Sequence, residues 1–315
     1  MENKQIAITQ FGSTDVLAIQ SSPIPLPAAG EVLVEVAFSG INPIDVKTRA
    51  GLGWAAQQNK DNLPWVPGYD ISGKVIKLGE NTSRFLLNDN VAGFIGFPVK
   101  GGGYSQYVCV PENELSLVPD SVTLEAAAVL PLAGQTAVQA LDRGQIKEGE
   151  RVLILAGAGG VGHLAIQIAL AAKAEVYTTC SENNLDYLAT LGAHAINYNF
   201  APVSERLQDV DVLIDLVGGD AALDALKCLK DHARVVTVPT VTAELICEKA
   251  KLLGFEATGM LVDPSPEQLD AMLYMVSVGL LKTEIQAIYP MDEVAEAQQQ
   301  IESGHTRGKI LLSMR

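Results

Sequence analysis

The segment Leu155-Ala156-Gly157-Ala158-Gly159-Gly160-Val161-Gly162 carries the clearest chemistry in this chain. It follows the apolar run Val152-Leu153-Ile154-Leu155 and opens a second apolar stretch at His163. Glycine at 157, 159 and 162 permits a tight turn and lets a pyrophosphate approach the backbone. The N-terminus of the following helix then offers that anion free N–H groups and a positive dipole end. The strand–loop–helix context, with another strand at the expected distance, favours dinucleotide binding over a structural glycine turn. At the end of that next strand stands Thr179-Cys180-Ser181, where an NAD-selective site usually has an acid for the ribose hydroxyls. A hydroxyl at Ser181 can bond a 2′-phosphate that an acid would repel, which points to NADPH. Ser181 as the N-cap of the next helix is the competing reading.

Other chemistries lack their residues. The four cysteines (Cys109, Cys180, Cys228, Cys247) are scattered and form no Cys-x-x-Cys pair, so neither a zinc knuckle nor a disulfide framework is expected. The four histidines (His163, His194, His232, His305) all lie outside the first 120 residues. We expect them at the surface or at helix ends, and the cysteines in the core as small apolar residues. No metal site is predicted. No Gly-x-Ser-x-Gly elbow exists to anchor an acyl-transfer triad.

The elements that must position these residues fall into three stretches. Residues 1 to about 121 read as β-rich, with strands at Glu31–Val36, Gly73–Leu78 and Tyr107–Val110 between Pro and Gly punctuation. From 122 to 280 apolar strands alternate with helices. The strands are Arg151–Leu155, Glu175–Thr179, Val210–Asp215 and Ala233–Val238, and the helices are His163–Ala172 and Leu185–Leu191. Ser121 and Glu125 mark a helix start. This alternation predicts a parallel sheet with right-handed crossovers. Residues 281 to 315 return to strand character at Gly308–Leu312.

Composition sets the outer limits. Of 315 residues, 48% are hydrophobic and 19% charged, which excludes a wholly disordered chain. A net charge of −15 repels phosphate backbones and anionic lipid, so nucleic-acid and membrane-surface roles are not expected. No apolar run approaches the ~20 residues that cross a bilayer. The N-terminal segment does not read as a signal peptide, and a reducing cytoplasm is the expected location.

Several further segments carry a resemblance. Gly40-Ile41-Asn42-Pro43-Ile44-Asp45-Val46-Lys47-Thr48-Arg49, Pro67-Gly68-Tyr69-Asp70-Ile71-Ser72-Gly73 and Gly103-Tyr104-Ser105-Gln106-Tyr107 are three of them. Leu132–Ala137, Asp215–Gly219 and Gly304–Leu312 complete the set. In number, order and spacing they resemble the medium-chain dehydrogenase/reductase superfamily, in its zinc-independent quinone oxidoreductase and enone reductase branch. The zinc enzymes of that superfamily have Gly-His-Glu where this chain has Gly68-Tyr69-Asp70.

The resemblance implies an α/β chain with a GroES-like β-rich catalytic domain, residues 1–121 plus 281–315, and an inserted Rossmann dinucleotide-binding domain, residues 122–280. It implies Asn42 near the nicotinamide and Thr136 near the nicotinamide or its phosphate side. Gly157, Gly159, Gly160, Val161 and Gly162 would hold the pyrophosphate. Ser181 and Tyr198 would frame the 2′-phosphate, with Val217 and Gly218 also at the cofactor. The implied reaction passes hydride from NADPH to a quinone or an α,β-unsaturated carbonyl.

Without zinc, the substrate oxygen needs a donor or a cation as negative charge develops on it. Lys47 is the first candidate and Tyr69 the reserve, although Lys47 also reads as a surface lysine. Asp45 is expected to be structural, pairing with Arg49 or a turn amide. Trp54 and Tyr69 either line the pocket or pack in the barrel. A zinc-free alcohol dehydrogenase and a non-catalytic NADPH-binding redox sensor are the alternatives. A homodimer formed through the nucleotide-binding domains is expected, with Val235 to Leu245 as its edge.

Overall fold

The computed structural model describes residues 2–315. In chain order the strands are β1 (Glu2–Ala7), β2 (Ala18–Pro23), β3 (Glu31–Gly40), β4 (Asp70–Leu78), β5 (Asn90–Phe94), β6 (Tyr107–Pro111), β7 (Leu115–Leu117), β8 (Arg151–Ile154), β9 (Glu175–Cys180), β10 (His194–Asn197), β11 (Val210–Asp215), β12 (Leu229–Thr237), β13 (Glu256–Gly259), β14 (Ile285–Pro290) and β15 (Lys309–Ser313). The helices are α1 (Pro43–Arg49), α2 (Gly53–Asn59), α3 (Leu124–Val129), α4 (Pro131–Arg143), α5 (Gly162–Ala171), α6 (Leu185–Thr190), α7 (Gly219–Ala225), α8 (Ala243–Leu252), α9 (Pro266–Ser277) and α10 (Val294–Glu302). They form two compact units. One takes the chain up to Gln135 together with Pro264–Arg315, and the other takes Thr136–Asp263.

The first unit is built on a seven-stranded sheet in the order β14-β15-β3-β4-β5-β7, with β6 also on β3. Strand β3 organises it. One edge pairs with β4, and the other is shared between β6 along Glu31–Glu35 and β15 along Phe38–Gly40. Register shifts at Leu33/Val34 and Val36/Phe38 bend the strand, as bulges do. Alternate apolar residues from these strands, among them Val32, Val34, Val36, Ile71, Val75, Val91, Ile310 and Leu312, close the core. The C-terminal strand thus sits beside Gly40, directly before the Asn42 loop.

The second unit is a parallel six-stranded sheet in the order β10-β9-β8-β11-β12-β13. The order reverses between β8 and β11. In such sheets a ligand crevice opens at that point, beyond the carboxyl ends of the strands. Leu153, Leu155, Val210, Leu213, Val235 and Ile246 form its core.

The units divide at 135/136 and 263/264 instead of at the expected 121/122 and 280/281. Packing explains the shift. Helix α3 lies on β3, β4 and β5, and Ser72 Oγ donates to the Leu124 carbonyl at 2.7 Å. Helix α9 lies on β7 and β5, and Ser116 Oγ donates to the Pro266 carbonyl at 3.1 Å. The start of α3 is capped by Thr123, whose Oγ1 accepts from Ala126 N at 3.2 Å, and not by Ser121. Within the segment Val235 to Leu245, Val235 is buried on the interior strand β12 while Val241 and Leu245 are exposed, and the edge strands of this sheet are β10 and β13.

Candidate functional site

Of the cofactor candidates, Gly157 to Gly162, Ser181, Tyr198, Val217 and Gly218 follow the carboxyl ends of parallel strands, whereas Thr136 lies in α4 and Asn42 in the β-rich unit. Ala156 N donates to Thr179 Oγ1 at 3.1 Å and Gly157 N to the Thr179 carbonyl at 3.2 Å, which ties the loop after β8 to the end of β9. The glycines differ in what they permit. A Cβ on Gly157 would stand 2.0 Å from Thr178 Oγ1, and one on Gly162 would stand 2.4 Å from the Ala156 carbonyl oxygen. A Cβ on Gly159 would meet only that same oxygen, at 3.3 Å. Gly157 and Gly162 are therefore required for packing, while Gly159 borders open space. Gly160 and Val161 complete the turn, and no side chain caps the start of α5.

Across the strand-order reversal lies the loop after β11. Asp215 is buried, and its Oδ1 accepts from Val217 N at 2.9 Å and Gly218 N at 2.7 Å. Its Oδ2 accepts from Thr237 Oγ1 at 2.7 Å. The loop is thus held rigidly, with the Val217 side chain exposed. Gly218 has φ +78°, and a Cβ there would lie 2.1 Å from Thr242 Oγ1, so no other residue fits.

Ser181 and Tyr198 follow neighbouring strands in register, since Cys180 pairs with Asn197. Ser181 occupies the cap position of a short turn but makes no side-chain cap bond, and its Oγ accepts from Asn184 Nδ2 at 3.2 Å. Tyr198 is exposed. Thr136 is buried on α4. Together these loops fit a dinucleotide: an open glycine, an uncapped helix start and a hydroxyl where an acid would mark NAD.

In the β-rich unit the residues around α1 form a buried polar group. Asn42 caps the helix, and Pro43 occupies its first turn. Asp45 Oδ2 accepts from Asn42 N at 2.8 Å and Oδ1 from Gly68 N at 3.1 Å, with the Tyr104 hydroxyl 3.4 Å away. Burial pushes the Asp45 carboxyl up to about 7; the Asn42 N–H opposes this and the Asp70 charge adds to it. Asp45 is therefore structural through turn amides, and Arg49 pairs instead with Glu302 of α10.

The Asn42 side chain is fully committed. Its Nδ2 donates to Asp70 Oδ2 at 2.9 Å, and its Oδ1 accepts from Lys309 Nζ at 2.6 Å. Asp70 and Lys309 lie in two of the segments that carry the resemblance, but the sequence pattern gives neither a role at this site. The signal available was a lysine directly before the apolar run Ile310-Leu311-Leu312.

The two catalytic candidates fare differently. Lys47 is exposed in the last turn of α1. Tyr69 is fully buried, and its hydroxyl donates to the Pro98 carbonyl at 2.9 Å. Its ring packs against Trp65, Phe94 and Phe97. Burial, then the Asp45 charge, pushes its pKa well above the usual phenol value. Tyr69 is a packing residue whose proton is already used, which corrects its place as a reserve donor. Half-buried Trp54 sets its edge on Phe97, with centroids 6.0 Å apart.

His194, His232 and His305 are exposed. His163 stands at a helix start as expected, but it is wholly buried, with Nδ1 2.9 Å from the Gly159 carbonyl. Cys180 and Cys228 are buried, whereas Cys109 and Cys247 are only half-buried. Among the described residues no three His, Cys, Asp or Glu side chains are grouped to hold a metal ion.

Residues 28–120 match the family model of the alcohol dehydrogenase GroES-like domain, and residues 191–312 match that of the zinc-binding dehydrogenases. The chain is 32% identical to the 2-methylene-furan-3-one reductase of Solanum lycopersicum, over 99% of this chain and 79% of that protein. It superimposes on the quinone oxidoreductase of Coxiella burnetii with a TM-score of 0.97 and 40% identity, covering all of both chains. It superimposes on the Escherichia coli quinone oxidoreductase complexed with NADPH with a TM-score of 0.87 and 26% identity, covering 98% of this chain and 99% of that one. The chain belongs to the medium-chain dehydrogenase/reductase superfamily, in its quinone and enone oxidoreductase branch. The donor set for zinc that the name of one matching model suggests is not assembled among the described residues.

Proposed function

We propose that this protein is an NADPH-dependent, zinc-independent reductase of quinones or α,β-unsaturated carbonyls. The observation that carries the reading is the pair of loops on either side of the strand-order reversal, one open at Gly159 and the other clamped by Asp215. NADPH, when bound, supplies the hydride. The chain holds it with the backbone of Gly157–Gly162 and the loop at Val217 and Gly218. Ser181 and Tyr198 receive the 2′-phosphate, and the absence of an acid at 181 supports NADPH over NADH. Lys47 is the cation that meets the substrate oxygen as charge develops there; its exposure leaves it unencumbered by a buried ion pair. The His and Cys side chains are too dispersed to hold zinc, which supports the metal-free reading.

We also infer a cytoplasmic homodimer, paired through the nucleotide-binding units at the β13 edge. Light scattering should give twice the chain mass; the mass of one chain would refute it. Steady-state oxidation of NADPH with a panel of quinones and enones tests the function. Turnover with at least one class, unaffected by chelators, is expected. No turnover with any acceptor, or loss of activity with removal of a stoichiometric metal, would overturn it.

A further inference from the structure

Lys309 stands on β15 with its side chain only 4% exposed, beside an Asp70 side chain that is 0% exposed. An ammonium has three N–H groups, and all three are spent. They go to the Ile41 carbonyl at 2.9 Å, Asn42 Oδ1 at 2.6 Å and Asp70 Oδ2 at 2.9 Å. The carboxylate is equally committed: Oδ2 also accepts from Asn42 Nδ2 at 2.9 Å, and Oδ1 accepts from Leu132 N at 2.8 Å. Lysine, aspartate and asparagine thus form a closed triangle in which each side chain bonds the other two.

Desolvation offsets much of the attraction within a buried ion pair, so stability alone is a weak reason for one. What this triangle does is set the direction of one amide. Asparagine has an acceptor end and a donor end. The ammonium takes the oxygen and the carboxylate takes the nitrogen, so a flipped amide would set donor against donor and acceptor against acceptor. The same ammonium fixes the backbone at Ile41, and Asn42 in turn starts α1.

We propose that Lys309 is a positioning residue for hydride transfer, acting through Asn42 and touching neither substrate nor cofactor. This rests on the reading above, in which Asn42 stands beside the nicotinamide. Asn42 then serves as a rigid wall whose orientation is dictated from the far end of the chain.

The test uses the full-length protein with ¹⁵N-labelled Asn and Lys side chains. In the cofactor-free wild type, NMR should show the Lys309 ammonium and Asn42 amide protons protected from exchange with water. The variant Lys309→Met/Asp70→Asn removes both charges together and so leaves no unpaired buried ion. In that variant Asn42 amide protection should fall at least about tenfold. Single-turnover hydride transfer should slow about 10²-fold, with NADPH affinity changed by less than about threefold. Asn42→Ala should slow the same step by a similar factor, and all three substitutions together should slow it no further. Losses that multiply, or a wild-type single-turnover rate in the folded double variant, would overturn the proposal. Free exchange of the Lys309 ammonium in the wild type would also overturn it, and that measurement needs no variant. A wild type that reduces no quinone or enone would sink the functional reading and the positioning role with it. The exchange data would then show whether the triangle itself forms.

Discussion

The glycine loop of the parallel-sheet unit and the Asn42 loop of the β-rich unit solve opposite problems. The glycine loop keeps side chains away. Its neighbours leave no room at Gly157 and Gly162 and leave space at Gly159, so in the proposed reading the backbone itself would meet the cofactor. The Asn42 loop is filled with buried side chains whose bonding capacity is spent on partners distant in sequence, Asp70 and Lys309. One loop works by the absence of groups, the other by their saturation. The first tolerates no added atom at Gly157 or Gly162 and contains no titratable group, while the second depends on charge and proton balance.

The largest expected effect breaks the glycine loop. Gly157→Ala should destabilise the protein by about 4 kcal/mol or more in denaturant melts, because its methyl overlaps Thr178. Gly159→Ala should leave stability nearly unchanged but abolish detectable NADPH binding. Equal melts for the two variants would erase the distinction.

The next effect separates the loops by pH. An aspartate ordinarily titrates near 3.8, and burial holds Asp45 at about 7. Between those values the native state keeps a proton that the unfolded chain has lost. Stability contributed here is therefore full at the acid end and declines as pH rises from about 4 to about 7, by on the order of a few kcal/mol. Melts of the wild type should show this decline relative to Asp45→Asn, which has no such proton. Parallel pH profiles would contradict the assignment.

Lys47→Met should then lower kcat by about 10²–10³ if the ammonium meets the developing oxyanion, more for enones than for quinones, with NADPH affinity intact. Wild-type turnover on both substrate classes would make Lys47 an ordinary surface residue. Ser181→Asp should weaken NADPH relative to NADH by about tenfold in fluorescence titrations, since an acid repels the 2′-phosphate; an unchanged ratio would remove Ser181 from the cofactor site. Smallest of all, Ala156 holds φ +55°, so Ala156→Gly should raise stability by up to ~1 kcal/mol. A lower melting temperature would show that the backbone there is not strained.

The same contrast explains what could be read from the chain. The glycine loop is local: strand, turn and helix start lie within a dozen residues, so its strand–loop–helix form is legible in the sequence. The parallel sheet followed from apolar runs of strand length, and β8, β9 and β11 lie where those runs are. The Asn42 triangle is not local. Lys309 reads as one lysine in a strand until β15 pairs with β3, and no periodicity shows that its ammonium ends on Asn42. Tyr69 is illegible in the sequence for a related reason. Its residue type suits an oxyanion donor, but the Pro98 carbonyl that takes its proton comes from a loop whose path the sequence does not specify. The domain limits moved because α3 and α9 are chosen by tertiary packing, which helical pattern alone does not reveal.

Hydride transfer itself is tested most directly by isotope tracing. The wild-type protein is given NADPH deuterated on the transferred hydrogen together with an α,β-unsaturated ketone, and the product is read by NMR. The account predicts one deuterium on the β-carbon of the saturated ketone, with the second new hydrogen drawn from water. Deuterium lost to solvent, or an unreduced ketone beside unoxidised NADPH, would contradict it.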